Sequence, residues 1–138
     1  MNAEIEAMID SNPKECRFTR VPIASDVIPE IEDELGVKLP QQYVDYIMEY
    51  GHGGVAGVEI LGIGLTGEAL FKQATLDYRG YGLPCKFVVV EDVGEWVYCL
   101  DCETEHVVSW DQLGGSRDRY SCFDDFLLDE FTEALDNL

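Results

Sequence analysis

Apolar residues recur at helical spacing in the first third of the chain, at strand-like spacing further on, and at helical spacing again at the end. Ile5, Met8 and Ile9 fall on one side of a short, weak helix that Pro13 ends; residues 11–24 read as irregular or extended. Ile28, Ile31 and Leu35 form the apolar face of a helix over about 27–35. Asp26 stands where it can cap that helix, and Pro29 falls in the first turn, where a missing N–H costs little. Gly36 sits where a helix-ending C′ glycine belongs. Pro40 starts a second helix to about Tyr50, with Tyr43, Ile47 and Tyr50 inward, and Gly51-His52-Gly53-Gly54 stops it.

Val58 to Ile63 is a short apolar run between glycines and reads as a strand. Gly67 to Tyr78 reads as a third helix or a helical loop, and Gly82-Leu83-Pro84 marks a turn. Three strand-like runs follow, Phe87–Val90, Trp96–Leu100 and Val107–Trp110, with Gly94 predicting a hairpin between the first two and residues 101–106 linking the others. Ser121 with Asp124 three residues later has the spacing of a capping box. It opens a last helix on which Phe123, Leu127, Phe131, Ala134 and Leu135 repeat and Phe126 widens the same face. Helices at both ends with strands grouped between them predict a single α+β domain over residues 1–138, its mostly antiparallel sheet packed with N-terminal helices and a C-terminal helix.

Composition narrows the classes of partner. The 138 residues carry 28 acids against 9 bases, a formal net charge of -19, with 46% hydrophobic and 11% aromatic residues. That apolar content is far above that of a disordered acidic tail. Nine scattered bases make no phosphate-binding footprint, so direct nucleic-acid binding is excluded, and attachment to an anionic membrane is disfavoured for the same reason. A basic partner stays open, as does plain solubility. The start, Met1-Asn2-Ala3-Glu4-Ile5-Glu6, has acids where a signal peptide needs bases, and no stretch approaches the ~18 apolar residues of a membrane span. The expected location is the cytosol, which also suits five cysteines without framework spacing.

Candidate chemistry is sparse. Cys99-Leu100-Asp101-Cys102 with His106 and Cys122 adds up to four zinc ligands, but structural zinc usually shows two tight pairs and here there is one. A redox pair lacks the surrounding βαβ pattern, and ordinary buried thiols are the simpler reading. His52 and His106 give no local Cys–His signature and read as exposed polar residues. Gly62-Ile63-Gly64-Leu65-Thr66-Gly67 has the letters of a dinucleotide-binding turn without its βαβ unit or an acid at the right distance. Adjacent acids such as Glu91/Asp92, Asp124/Asp125 and Asp129/Glu130 arise by chance among 28. No catalytic residue, metal or cofactor is assigned.

The charge is uneven. Residues 1–86 hold 14 acids and 7 bases, and residues 87–138 hold 14 acids and only Arg117 and Arg119. Glu91, Asp92, Glu95, Asp101, Glu103, Glu105 and Asp111 flank the predicted strands with Trp96 and Tyr98 among them, and the first six acids with Trp96 are the candidate partner-binding residues. An acidic hairpin beside an exposed aromatic suits protein binding, since aromatics anchor interfaces and charge speeds encounter. A sheet edge kept from aggregating by charge explains the same pattern.

One segment carries a resemblance. Ile28, Glu32, Leu35-Gly36, Leu39-Pro40 and Tyr43, closed by Gly53-Gly54, resemble the signature of the SUKH superfamily, the Smi/Knr-like proteins. Gly82-Leu83-Pro84 before a strand pair, Asp101 after the second strand and Phe123–Leu127 at the start of the last helix extend it over roughly residues 25–135. The family often has Asn-Gly-Gly after the second helix, and this chain reads Tyr50-Gly51-His52-Gly53-Gly54. The resemblance implies an α+β fold without a catalytic constellation. For bacterial members it implies a non-enzymatic immunity protein that binds and neutralises a polymorphic toxin, often a nuclease. For eukaryotic relatives it implies a regulatory interaction module, and such a module without a toxin partner is the alternative expectation for this chain. It carries over no contact residue. Together with the acid excess, it sets the expectation of a basic toxin domain as the partner.

Overall fold

The computed structural model describes residues 2–138. Helix α1 (Ala3–Ser11) is capped by Asn2, whose Oδ1 accepts from the Glu4 and Ile5 amides, and it buries Ile5 and Ile9. A short 3₁₀ turn at Pro13–Glu15 leads into strand β1 (Cys16–Phe18), which pairs antiparallel with β2 (Gly53–Val55). Glycine is required at this pairing. A Cβ on Gly53 would collide with the Arg17 carbonyl, and one on Gly54 with the Val58 carbonyl.

Helices α2 (Val27–Leu35) and α3 (Gln41–Tyr50) follow the predicted periodicity, burying Ile28, Ile31 and Leu35 on one and Tyr43, Tyr46, Ile47 and Tyr50 on the other. Gly36 ends α2 in the left-handed region at φ 71°, and its N–H donates to the Glu32 carbonyl at 2.8 Å. The Glu32 side chain then accepts from the Leu39 N–H at 2.7 Å, so one residue holds both ends of the α2–α3 connection. Asp26 occupies the N-cap position but makes no capping bond. Its backbone is already helical (φ -90°, ψ -10°), which turns the carboxylate away from the first-turn amides.

Val58–Ile63 is not a strand of its own. Ile60 bridges Gly53, Ile63 bridges Ala69, and the Leu61 N–H donates to the Val90 carbonyl at 2.7 Å. The segment threads between the small sheet and the main one, touching each briefly. Helix α4 (Leu70–Arg79) begins later than the sequence suggests, because residues 64–69 form a turn bridged by Gly64 and Glu68.

The main sheet is an antiparallel meander of β3 (Phe87–Asp92), β4 (Val97–Asp101), β5 (Val107–Asp111) and β6 (Gly115–Tyr120), in that order. Both faces of its first three strands are covered, so their sequences are almost continuously apolar. One face carries Phe87, Val89, Val97, Cys99, Val108 and Trp110 against Ala74 and Tyr78 of α4. The other carries Val88, Val90, Leu100 and Val107 against the N-terminal helices and α5 (Phe123–Asp136). In the larger core the Tyr43 ring meets Phe71 and Phe123 edge-on at 5.4 and 5.1 Å. The open edge of β3 is closed by Thr75, whose Oγ1 accepts from the buried Val89 N–H at 2.9 Å.

Strand β6 escapes the sequence pattern, because Gly-Ser-Arg-Asp-Arg-Tyr is exposed throughout its first five residues. The capping box at Ser121 is also absent. Cys122 is the N-cap of α5, Ser121 Oγ donates to Asp125, and the Asp124 N–H is capped by Gln42 Oε1 from α3 at 3.0 Å. No helix among the described residues is long and apolar enough to cross a membrane.

Candidate functional site

The β3–β4 hairpin carries most of the residues singled out for partner binding, and its shape follows from a bulge. Val89 pairs with Cys99 and Glu91 with Tyr98, so Val90 and Glu91 together oppose a single step of β4. The extra residue brings Glu91 to the α5 side, beside Tyr98. There it is buried, 9% exposed, with Oε1 lacking a hydrogen-bond partner among the described residues. Burial, and then the neighbouring Glu130 carboxylate, push its carboxyl up to about 8. Glu130, half-buried on α5, is itself raised by burial and by Glu133 and Asp129.

Asp92 works inside the hairpin. Its two oxygens accept from the Tyr78 hydroxyl at 2.7 Å and the Gly94 N–H at 2.9 Å, tying the turn to α4. Burial and Asp92 push the Tyr78 phenol up to about 12. Gly94 supplies a positive φ of 97° and the Val93 N–H closes the turn on the Trp96 carbonyl at 3.0 Å. Glu95 is exposed at the tip. Trp96 is half-buried, its ring edge-on to Tyr98 at 6.1 Å, and its indole N–H has no partner among the described residues.

Trp96 stands between two hollows. One, of about 250 Å³, is walled by Tyr78, Tyr81, Trp96 and Trp110 with Glu95 and Asp111 at its margin. The other, of about 310 Å³, lies between the hairpin and α5 and is lined by Glu91, Trp96, Tyr98, Glu130 and Glu133. Tyr78, Tyr81, Trp110, Glu130 and Glu133 are absent from the sequence-based candidates. They reach the hairpin only through the packing of α4, β5 and α5 on the sheet, and no local pattern marks them.

The remaining candidates lie elsewhere. Asp101 pairs with Phe87 at the far end of the ladder, four residues beyond Val97 and therefore about 13 Å away along β4. It is buried, accepts from the Glu103 N–H at 2.9 Å and the Thr104 N–H at 3.3 Å, and lies 3.6 Å from Lys86 Nζ. Glu103 is exposed 4.0 Å from the same lysine, and Glu105 occupies a left-handed turn position at φ 68°. The seven candidates thus form two groups. Glu91, Asp92, Glu95 and Trp96 share the hairpin tip, and Asp101, Glu103 and Glu105 build the opposite turn.

Other sequence features take structural roles. Cys99 and Cys102 are held as thiols: burial raises Cys99 far up and raises Cys102 to about 12, with Asp101 adding to the latter. His106 turns to Asp118 at 3.0 Å and Cys122 sits at the start of α5, so the set of four possible ligands is not gathered. Among the described residues no three His, Cys, Asp or Glu side chains are grouped to hold a metal ion. His52 is not an exposed turn residue: its Nδ1 accepts from the Gly62 N–H at 3.0 Å while Nε2 meets Glu59 at 3.2 Å. The glycine run 62–67 serves this close approach, since a Cβ on Gly62 would collide with the Gly51 carbonyl.

A family model described as SMI1-KNR4 cell-wall matches residues 1–132. The chain belongs to the SUKH superfamily. A crystal structure of a protein from Pseudomonas syringae pv. tomato is similar over 81% of this chain and 89% of that one, with a TM-score of 0.61 at 19% sequence identity. That likeness is one of fold. In this SUKH chain the short markers acquire physical roles: Glu32 and Gly36 shape the α2–α3 connection, Tyr43 donates to the Leu61 carbonyl at 2.6 Å, and Asp101 folds the β4–β5 turn.

Proposed function

We propose that this SUKH protein is an immunity protein, which binds a basic, nucleic-acid-cleaving toxin domain and blocks its active site or substrate path without catalysis of its own. The observation that carries the reading is the hairpin tip: exposed acid and half-buried aromatic side chains gathered beside α5 on a chain of net charge -19. Family membership supports it, since SUKH proteins of bacteria act in this way. A nuclease presents cations to bind phosphate, and carboxylates on a rigid hairpin answer those cations in the same places. Trp96 and the tyrosines around it supply the apolar area that holds such a complex once charge has assembled it. Asp101, Glu103 and Glu105 lie too far from the tip to share one small contact with it, and they contribute through the long-range field. The test is co-expression with the toxin encoded beside the gene. Cells are expected to survive, and death despite abundant folded protein would contradict the reading.

A further inference from the structure

The hollow between the hairpin and α5 has an unusual balance of polar groups. Glu91 is carried into it by the bulge, is nine-tenths buried, and presents an oxygen that no donor among the described residues meets. Glu130 and Glu133 line the same space from α5, and Tyr98 lines it from β4. No Lys or Arg occurs anywhere between Phe87 and Ser116 to answer these acids locally. Arg119 on β6 donates through Nε to Ser109 Oγ at 2.8 Å; its charge acts on Tyr98, but it is not among the residues that line the hollow. The protonated Glu91 carboxyl shares a hydrogen bond with Glu130, and its Oε1 is still left without a donor among the described residues, a costly state for a buried acceptor.

We propose that this hollow receives one arginine side chain from a protein partner, paired with Glu91 and Glu130 and laid against Trp96. Two carboxyl groups from facing elements suit a planar fork of donors better than a single ammonium point. The aromatic wall of Trp96 and Tyr98 offers a face over which a guanidinium stacks. Pairing also changes the proton count. In the free protein the Glu91 carboxyl keeps its proton near neutral pH, held there by burial and by Glu130, with Glu133 and Asp129 raising Glu130 in turn. The entering cation favours the ionised pair, so a proton leaves to solvent as the arginine docks. Affinity therefore rises as pH climbs through about 8, the point at which half of the Glu91 carboxyls have lost their proton, and levels off above it.

The inference rests on the reading of this face as a partner-binding surface, but its test needs no toxin. The peptide acetyl-Gly-Arg-Gly-amide is titrated into the labelled protein, and the indole N–H resonances of Trp96 and Trp110 are followed by NMR. The Trp96 signal is expected to shift saturably with the arginine peptide, much less with a lysine peptide, and not with the neutral citrulline analogue. Affinity should fall at least about tenfold in Glu91→Gln and in Glu130→Gln, the loss of one charge-assisted contact. It should also be higher at about pH 8 than at about pH 6. Equal binding of citrulline or lysine, a shift confined to Trp110, or no shift at all would overturn the proposal. Glu130 is half-buried, so its variant stays informative should Glu91→Gln fail to fold. A chain that protects cells from the toxin while its hollow ignores the arginine peptide would remove this proposal and leave the immunity reading standing.

Discussion

Glu91 shows how far one inserted residue can change the meaning of a side chain. In sequence it is one of seven acids flanking strands; in the structure the Val90–Glu91 bulge takes it out of water and sets it against Glu130. The energetic sign follows from its protonation. The unfolded chain releases this proton in the usual carboxylate range, whereas the folded chain keeps it up to about 8. Between those values the native state binds more protons, so folding stability falls as pH rises through the window and levels off above it. The loss is on the order of a few kcal/mol. Denaturant unfolding across pH should show this decline in the wild type and a flatter profile in Glu91→Gln, which becomes the more stable of the two at about pH 8 and above. Parallel profiles would contradict the placement of Glu91. Nothing in the sequence signals it, because a bulge depends on the register between two strands and not on either strand alone.

At the scale of elements, what sequence shows depends on which faces are buried. Helices α2, α3 and α5 are legible because each hides one stripe, and β3, β4 and β5 because both of their faces are covered. Strand β6 packs little, so it carries no apolar period to read, and Val58–Ile63 is apolar without being a strand because its two sides belong to different neighbours. The start of α5 makes the same point about capping. Ser121 and Asp124 have the right spacing, but the cap comes from Gln42, 82 residues away in sequence. Gln42→Ala should therefore cost about 1 kcal/mol in chemical denaturation, and Ser121→Ala distinctly less. The opposite ranking would restore the capping box.

For the whole molecule, net charge is the dominant physical fact. A charge of -19 on 138 residues pushes the folded chain apart, and added salt screens that repulsion. Thermal stability is expected to rise as salt goes from about 0.02 to about 0.5 M, and a melting temperature flat over that range would contradict it. Binding to a basic toxin should respond in the other direction: stopped-flow association should slow at least about tenfold over the same range, and a constant rate would remove steering from the account. The acid excess was legible from composition, but its arrangement was not. Asp92, though exposed, and buried Asp101 spend their carboxylates on turns, Glu91 turns inward, and Glu95, Glu103 and Glu105 stay exposed without such a turn role, at opposite ends of β4.

A partner met at the hairpin tip must be sensitive to changes made there and indifferent to changes at the far turn. The direct measurement is the affinity of the neighbouring toxin domain for the wild type, for Glu95→Lys with Trp96→Ala, and for Glu103→Lys with Glu105→Lys, each checked for native fold by circular dichroism. The tip pair should weaken binding at least about a hundredfold, as loss of an aromatic anchor and reversal of a nearby charge would, while the far-turn pair changes it by less than about tenfold. A tip variant that binds as tightly as the wild type, or a far-turn variant that loses more than the tip variant, would place the contact elsewhere on the protein.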